Sequence, residues 1–188
     1  MKLGELLEKV REVYVDRLTK AMAASPGATP EPVLRRRDGT VAREGALSLA
    51  MRADFAREAG ASHETVSVES VSLARFEPLR FEWSDVPVEL GPFFWDALRL
   101  SLVGVPTVVP FDALRDWFER WFDADAEATH GGSVEHVVHS MSDPVATPEG
   151  CELEIDLGSA PVEAFEELLD AATSLGPVRV TVGARRAR

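Results

Sequence analysis

The last third of the chain changes its hydrophobic period twice, and this feature constrains the fold more than any other. Apolar and acidic residues alternate over 151–157, which predicts a half-buried β-strand. Residues 161–175 carry apolar side chains at helical spacing, and Gly176-Pro177 ends that helix. Alternating valines over 178–183 predict a final strand. The sequence therefore predicts a strand–helix–strand unit.

Earlier segments extend this pattern. Bulky apolar residues between Pro and Gly predict a helix over 92–103, and residues 111–123 place an aromatic face opposite a charged one. Alternating β-branched and aromatic residues over 64–84 predict either one long bent strand or a hairpin, and favour the hairpin. Residues 134–141 are typical of a strand. This order predicts an α+β fold of the split βαβ, or ferredoxin-like, plan with helices on one sheet face.

The N-terminal part has a different character. Residues 3–24 have one apolar stripe at helical spacing and predict an amphipathic helix. Residues 25–42 are rich in proline and predict a linker or extended arm, and an alanine-rich helix is predicted over 43–59. We therefore divide the chain into N-terminal helices with a Pro-rich linker (1–60) and an acidic α+β domain (61–188).

Charge is distributed unevenly between these two parts. The chain of 188 residues has a net charge of −12, yet residues 1–60 carry 11 basic and 9 acidic side chains. Residues 61–188 carry 23 carboxylates against 9 arginines and no lysine. Such a surface repels phosphate backbones and attracts cations. The composition therefore excludes nucleic acid as a partner and favours a basic protein.

The same composition constrains the compartment. The N-terminus has no apolar core of a secretory signal, and no run of residues approaches the length of a membrane span. The single cysteine, Cys151, cannot form an internal disulfide and lies on the apolar side of its predicted strand. We expect a soluble cytoplasmic protein without membrane contact, and the Arg and Ala bias suggests a bacterial one.

Three histidines lie within ten residues and are the candidate metal ligands: His130, His136 and His139. A strand over this segment would direct His136 and His139 to opposite faces, which argues against a shared metal ion. We therefore expect neither a metal nor a cofactor. If the three histidines did bind zinc, a small metal-dependent hydrolase would be the alternative function.

Two acidic surfaces are the candidate partner sites. Glu152, Glu154 and Asp156 form a ladder on the polar side of the predicted strand. The charged and aromatic helix contributes three further candidates: Asp116, Trp117 and Glu119. No motif specifies a reaction, so the pattern favours a non-enzymatic acidic protein-binding module, of the immunity or antitoxin-like inhibitor class.

A third hypothesis uses the N-terminal helix as an oligomerisation element. Its apolar stripe could pair with the same stripe of a second copy. The residues of that stripe are Leu3, Leu7, Val10 and Tyr14. This reading predicts a homo-oligomeric structural protein.

Overall fold

A computed structural model describes residues 2–59, 62–124 and 134–184, and within them the chain has a mixed α+β architecture. The helices are α1 (Leu3–Ala23), α2 (Asp112–Phe122) and α3 (Val162–Ser174). The strands are β1 (Thr29–Pro30), β2 (Arg43–Glu44), β3 (Leu49–Ala50), β4 (Phe55–Ala59), β5 (Ser62–Val66), β6 (Leu79–Trp83), β7 (Val86–Leu90), β8 (Leu98–Val103), β9 (Ser140–Met141), β10 (Val145–Thr147), β11 (Gly150–Asp156) and β12 (Arg179–Ala184).

Seven strands form the main sheet, with the order β10-β11-β8-β12-β7-β6 and with β9 paired to β11. The predicted strand–helix–strand unit of the last third is confirmed as β11, α3 and β12. β8 lies between β11 and β12 and is antiparallel to both. Because β12 also pairs in parallel with β7, the sheet is mixed. The ferredoxin-like plan is not confirmed, because that plan has four strands whereas the main sheet has seven.

The helix predicted over 92–103 is wrong, because most of this segment is the strand β8. Leu98, Leu100 and Leu102 are buried, and the residues between them lie on the other sheet face. That period of two competes with the helical spacing of the aromatic residues just before it. Strand pairing on both edges of β8 decides the outcome, since β11 and β12 satisfy its backbone.

The helix predicted over 43–59 is also wrong, because this segment contains β2, β3 and β4. A turn at Gly45 and Ser48 has positive φ angles of 75° and 55°, which a helix excludes. The Asp143 carboxylate accepts hydrogen bonds from the backbone N–H groups of Ala46 and Leu47. A side chain almost 100 residues away therefore fixes this turn, and local sequence cannot show it.

Two predicted strand segments differ in detail from the structure. The range 64–84 is not one hairpin, because β5 pairs with β4 in a small sheet while β6 pairs with β7 in the main sheet. Within 134–141 only β9 is a strand, and residues 134–139 are irregular. Helix α2 falls within the predicted range 111–123, and α1 within 3–24.

One hydrophobic cluster connects the sheet to all three helices. Phe165 of α3 stacks on Phe93 and Trp95, with ring centroids 5.5 and 6.1 Å away. Leu7 and Tyr14 of α1 belong to the same cluster and are fully buried. The opposite sheet face carries polar side chains. The division at residue 60 stays a prediction, although α1 shares its core with the rest of the chain. None of the helices among the described residues has the length and apolar character needed to cross a membrane.

Candidate functional site

A buried polar centre lies where the N-terminal segment meets β9 and β11. His139, which precedes β9, is its middle residue and is only 1 % exposed. The backbone positions it from two sides, because its N–H donates to the Asp156 carbonyl and its carbonyl accepts from the Arg52 N–H, each at 3.0 Å. The side chains around it come from four distant parts of the chain: Tyr14, Glu31, Asp54, Asp156 and Ser159.

Three carboxylates surround the imidazole ring of His139. Nε2 lies 2.7 Å from Oε1 of Glu31. On the other side of the ring, Nδ1 lies 3.1 Å from Oδ1 of Asp54 and 3.7 Å from Oδ2 of Asp156. These two contacts are close, but Nδ1 makes no hydrogen bond of acceptable geometry to any described residue. The ring is therefore held by Glu31 and faces two further carboxylates.

Glu31 is completely buried and accepts hydrogen bonds on both oxygens. The Ser159 N–H donates to Oε1 at 3.1 Å, and the Ser159 hydroxyl donates to Oε2 at 2.8 Å. The Glu135 N–H also donates to Oε2, at 2.5 Å. The backbone of Glu31 has a φ of 41°, which is uncommon outside glycine. Hydrogen bonds from distant parts of the chain therefore fix the position and conformation of Glu31.

Asp54 and Asp156 are oriented by separate donors. The Tyr14 hydroxyl donates to Oδ1 of Asp54, and the Val68 N–H donates to Oδ2. The Gly158 N–H donates to Oδ1 of Asp156 at 2.8 Å, which leaves Oδ2 on the side of His139. The Asp156 side chain is 26 % exposed, whereas that of Asp54 is 9 % exposed. The centre is therefore closed except at Asp156.

Arg52 brings one positive charge to this centre without forming an ion pair. Its guanidinium donates to the backbone carbonyls of Glu31, Phe122 and Asp123 and lies 4.9 Å from the centroid of the Phe122 ring. Burial lowers the pKa of Arg52, and the charges of Glu31 and Asp123 oppose that change. Arg52 therefore links the segment that precedes β4 to the C-terminal end of α2.

Titration of the centre reflects both burial and charge. Burial by itself lowers the pKa of His139, but Asp156, Asp54 and Glu31 outweigh it and raise the pKa well above its ordinary value. Burial raises the pKa of Glu31 and of Asp54, but hydrogen bonds and the charge of His139 reverse the direction, so both pKa values are lowered. Burial raises the pKa of Asp156, and His139 offsets this only in part.

Of the two candidate histidines that the structure describes, only His139 belongs to this centre. The side chain of His136 is exposed, and its backbone N–H donates to the Ser159 hydroxyl at 2.8 Å. His130 lies outside the described residues. Cys151 is buried on the core side of β11, where burial and then Glu152 raise the pKa of its thiol. The described residues therefore do not form a triple-histidine site.

The acidic ladder of β11 is divided between two environments. Glu152 lies on the open sheet face, where its carboxylate is 3.4 Å from Arg99 and accepts from the Ser101 hydroxyl at 3.2 Å. Glu154 is exposed on the same strand. Asp156 instead turns into the buried centre. A depression of about 460 Å³ lies on this face, and its lining includes Glu89, Ser101, Glu149, Glu152, Arg179 and Thr181.

The three candidate partner-binding residues on α2 also lie in different environments. Asp116 is exposed, and Glu119 forms an ion pair with Arg43, with 3.0 Å between Nη2 and Oε2. Trp117 is buried and donates its indole N–H to the Ala164 carbonyl at 2.8 Å, so it is a contact between α2 and α3. A cavity of about 300 Å³ between these helices is lined by Asp116, Trp117, Arg120, Glu167 and Asp170, among others.

Sequence reasoning missed Glu31, Asp54, Tyr14 and Ser159. Glu31 stands between two prolines in a segment that has the composition of a solvated linker. Its partners His139 and Ser159 are 108 and 128 residues away, so no local pattern connects them. Asp54 and Tyr14 are 40 residues apart. No family model, no curated protein and no solved structure matches this chain.

Proposed function

We propose that the protein is a non-enzymatic binding module that captures a basic protein through the exposed side of α2 and α3. One observation carries this proposal. The two helices bear seven carboxylates against two arginines, Arg115 and Arg120. The carboxylates are Asp112, Asp116, Glu119, Glu163, Glu166, Glu167 and Asp170. A surface of this sign accelerates encounter with a cationic partner and disfavours anionic ones.

The open sheet face supports this role less well, because its charges are paired within the chain. Arg99 lies 3.4 Å from Glu152, and Arg80 lies 3.3 Å from Glu89. Pairing reduces the field that such carboxylates project to a distant partner. The helix surface also contains pairs, such as Arg120 with Glu167 at 2.9 Å, but four of its seven carboxylates remain in excess over Arg43, Arg115 and Arg120.

The carboxylate-rich helix surface favours a cationic protein as the partner. Duplex DNA and RNA are disfavoured, because phosphates would meet carboxylates. An inhibitor of the immunity or antitoxin-like class, acting on a basic enzyme in a bacterial cytoplasm, has these properties. Asp116 and Glu119 would lie in this interface, and Glu152 and Glu154 would lie outside it.

The oligomerisation hypothesis receives less support from the structure. Leu7, Val10 and Tyr14 of α1 are buried within a single chain. A second copy would therefore find little of that stripe accessible. We accordingly prefer a different, basic partner to a second copy of this chain.

Binding kinetics with matched charge reversals test the proposal. The partner would first be captured from native lysate and purified. Asp116, Glu163 and Glu166 would be changed to Lys on the helices, and Glu82, Glu152 and Glu154 would be changed to Lys on the sheet face as a control with the same change in charge.

We expect the helix variant to lower the association rate about tenfold or more at low salt, since steering changes rates by about 10–10³-fold. The sheet variant should remain within about twofold, and added salt should reduce the difference. The reverse ranking would assign the interface to the sheet face. Equal association rates for all three proteins at two ionic strengths would refute electrostatic capture.

A further inference from the structure

We propose that Asp54, His139 and Asp156 bind one divalent metal ion of the zinc class. This inference is independent of the proposed function, since the site lies in the buried centre and not on α2 or α3. One ligand atom from each of the three residues lies within 4.8 Å of the other two. The set combines an imidazole nitrogen with carboxylate oxygens, which suits Zn²⁺ and other borderline transition metals more than Mg²⁺.

The first argument is an unsatisfied ligand atom. Nδ1 of His139 belongs to a side chain that is 1 % exposed and makes no hydrogen bond to any described residue. Buried polar atoms are almost always satisfied, so each exception needs a physical reason. This nitrogen faces Oδ1 of Asp54 and Oδ2 of Asp156, which are acceptors. A cation between the three atoms would satisfy all of them at once.

The second argument is the spacing of the ligand atoms. Tetrahedral ligands at about 2.0–2.2 Å from Zn²⁺ lie about 3.3–3.6 Å from one another. The distances from Nδ1 of His139 to the two carboxylate oxygens are 3.1 and 3.7 Å, close to that range. The 3.7 Å distance exceeds a direct hydrogen bond, whereas the 3.1 Å distance suits a hydrogen bond as well as a shared ion. The spacing therefore fits ligands that share an ion.

The third argument is the support behind each ligand. Nε2 of His139 contacts Oε1 of Glu31 at 2.7 Å, the carboxylate–histidine arrangement that fixes the tautomer of a metal-binding imidazole. With Nε2 protonated, Nδ1 keeps a lone pair for the metal. Tyr14 and Val68 hold Asp54 in place. Gly158 holds Asp156.

The fourth argument is charge balance. The centre contains the carboxylates of Glu31, Asp54 and Asp156, and the guanidinium of Arg52 is the nearby cation. With a protonated His139 the metal-free centre sums to minus one, and with a neutral imidazole it sums to minus two. A divalent cation that displaces the Nδ1 proton makes the sum zero, which favours the bound state because an uncompensated buried charge is strongly disfavoured.

The site also has a route of entry. Asp156, the most exposed ligand, lines a cavity of about 230 Å³ together with Asp96 and Ser140. Oδ1 of Asp96 is buried and has no hydrogen-bond partner among the described residues. A water molecule in this cavity could complete a fourth coordination position, as three-ligand zinc sites require.

Zinc titration of chelator-stripped protein is the decisive test. Competition with a chromophoric chelator would measure stoichiometry and affinity, and a titration with ¹⁵N-labelled histidine would identify the ring that responds. We expect one Zn²⁺ per chain, a shift of one buried imidazole, and a melting temperature raised by about 5–10 °C at a hundredfold excess over the dissociation constant.

Variants then assign the ligands. Asp156→Asn keeps the shape of a partly exposed side chain and should weaken Zn²⁺ binding about 100-fold or more, while Glu31→Gln should weaken it about 10–100-fold. His136→Ala, which removes an exposed histidine three residues from His139, is the matched control and should bind normally. Circular dichroism would verify that each variant folds.

Three results would overturn the proposal. The first is the absence of stoichiometric Zn²⁺ binding by the folded wild type. The second is equal affinity in wild type and Asp156→Asn. The third is loss of binding in His136→Ala. Because the first result and the histidine spectra need only the wild type, a variant that fails to fold does not leave the question open.

Discussion

The carboxylates around His139 and those on α2 and α3 are the same chemical group in opposite surroundings. Glu31 is fully buried and accepts three hydrogen bonds, whereas Asp116 and Asp170 are exposed. Water and salt screen an exposed carboxylate, so it contributes little to stability but acts at a distance. A buried carboxylate acts only on its neighbours, and removing it leaves them unpaired. The net charge of the chain is therefore a guide to the exposed carboxylates of α2 and α3 and not to the buried carboxylates around His139.

The largest effect should come from removing a buried carboxylate. Glu31→Ala deprives His139, Ser159 and the Glu135 N–H of their partner, and we expect a loss of about 3–5 kcal/mol in the free energy of unfolding. Asp116→Ala is the exposed control and should change it by less than about 0.5 kcal/mol. Denaturant titration measures both. Similar values for the two variants would remove the distinction between the two groups of carboxylates.

A smaller loss should follow from crowding the same centre without removing charge. Gly158 has a φ of 52°, and an added Cβ would collide with the imidazole ring of His139 and with the Val137 carbonyl. Gly158→Ala should therefore cost about 1–3 kcal/mol through backbone strain and displacement of the ring. Gly39→Ala also has a positive φ but meets no atom within 4 Å, so it isolates the backbone contribution. Equal losses would show that the ring is not displaced.

Lowering the pH should reveal the buried Glu31 carboxylate through its effect on the free energy of unfolding. The pKa of Glu31 is lower in the folded protein than its unfolded value of about 4.3, so the native state binds fewer protons in this window. Its contribution to stability is fully present above the unfolded pKa and is lost as pH falls through the lowered one. With a chelator present, the stability difference between wild type and Glu31→Gln should narrow from pH 6 to pH 3. A constant difference would contradict the lowered pKa.

The smallest effect should occur on the open sheet face. The Arg99–Glu152 pair is separated by 3.4 Å and partly exposed, so Glu152→Gln should cost no more than about 1 kcal/mol. High salt should reduce that cost further. A double-mutant cycle with Arg99→Gln isolates the coupling energy. A coupling above about 2 kcal/mol would place this pair with the buried carboxylates instead.

The sequence predicted the elements whose signals are local. β11, α3 and β12 bury one face of each element, so their periods of two and 3.6 are visible in 35 consecutive residues. α1 and α2 are visible for the same reason. The helix predicted over 43–59 is wrong because the turn in this segment depends on Asp143. The helix predicted over 92–103 is wrong because the two strands that pair with β8 follow it by some fifty to eighty residues.

The candidate sites show the same dependence on distance. His139 and Asp156 are both predicted to be chemically notable, but at different sites, because their contact depends on the pairing of β9 with β11. Trp117 was placed at a partner surface, although its indole contacts Ala164 of a helix 40 residues later. Sequence identifies candidate groups well when they are chemically unusual, and identifies their neighbours poorly when the chain between them is long.

The position of Glu31 has a consequence for synthesis on the ribosome. This residue leaves the ribosome long before Ser159, which follows it by 128 residues. At about 5–20 residues per second, the delay is roughly 6–25 s. Until Glu135 emerges, 104 residues after Glu31, the carboxylate has none of its final donors, and the apolar side of α1 lacks the complete sheet until β12 emerges. The N-terminal third of the nascent chain is therefore the part that a chaperone would need to protect until the last strands emerge.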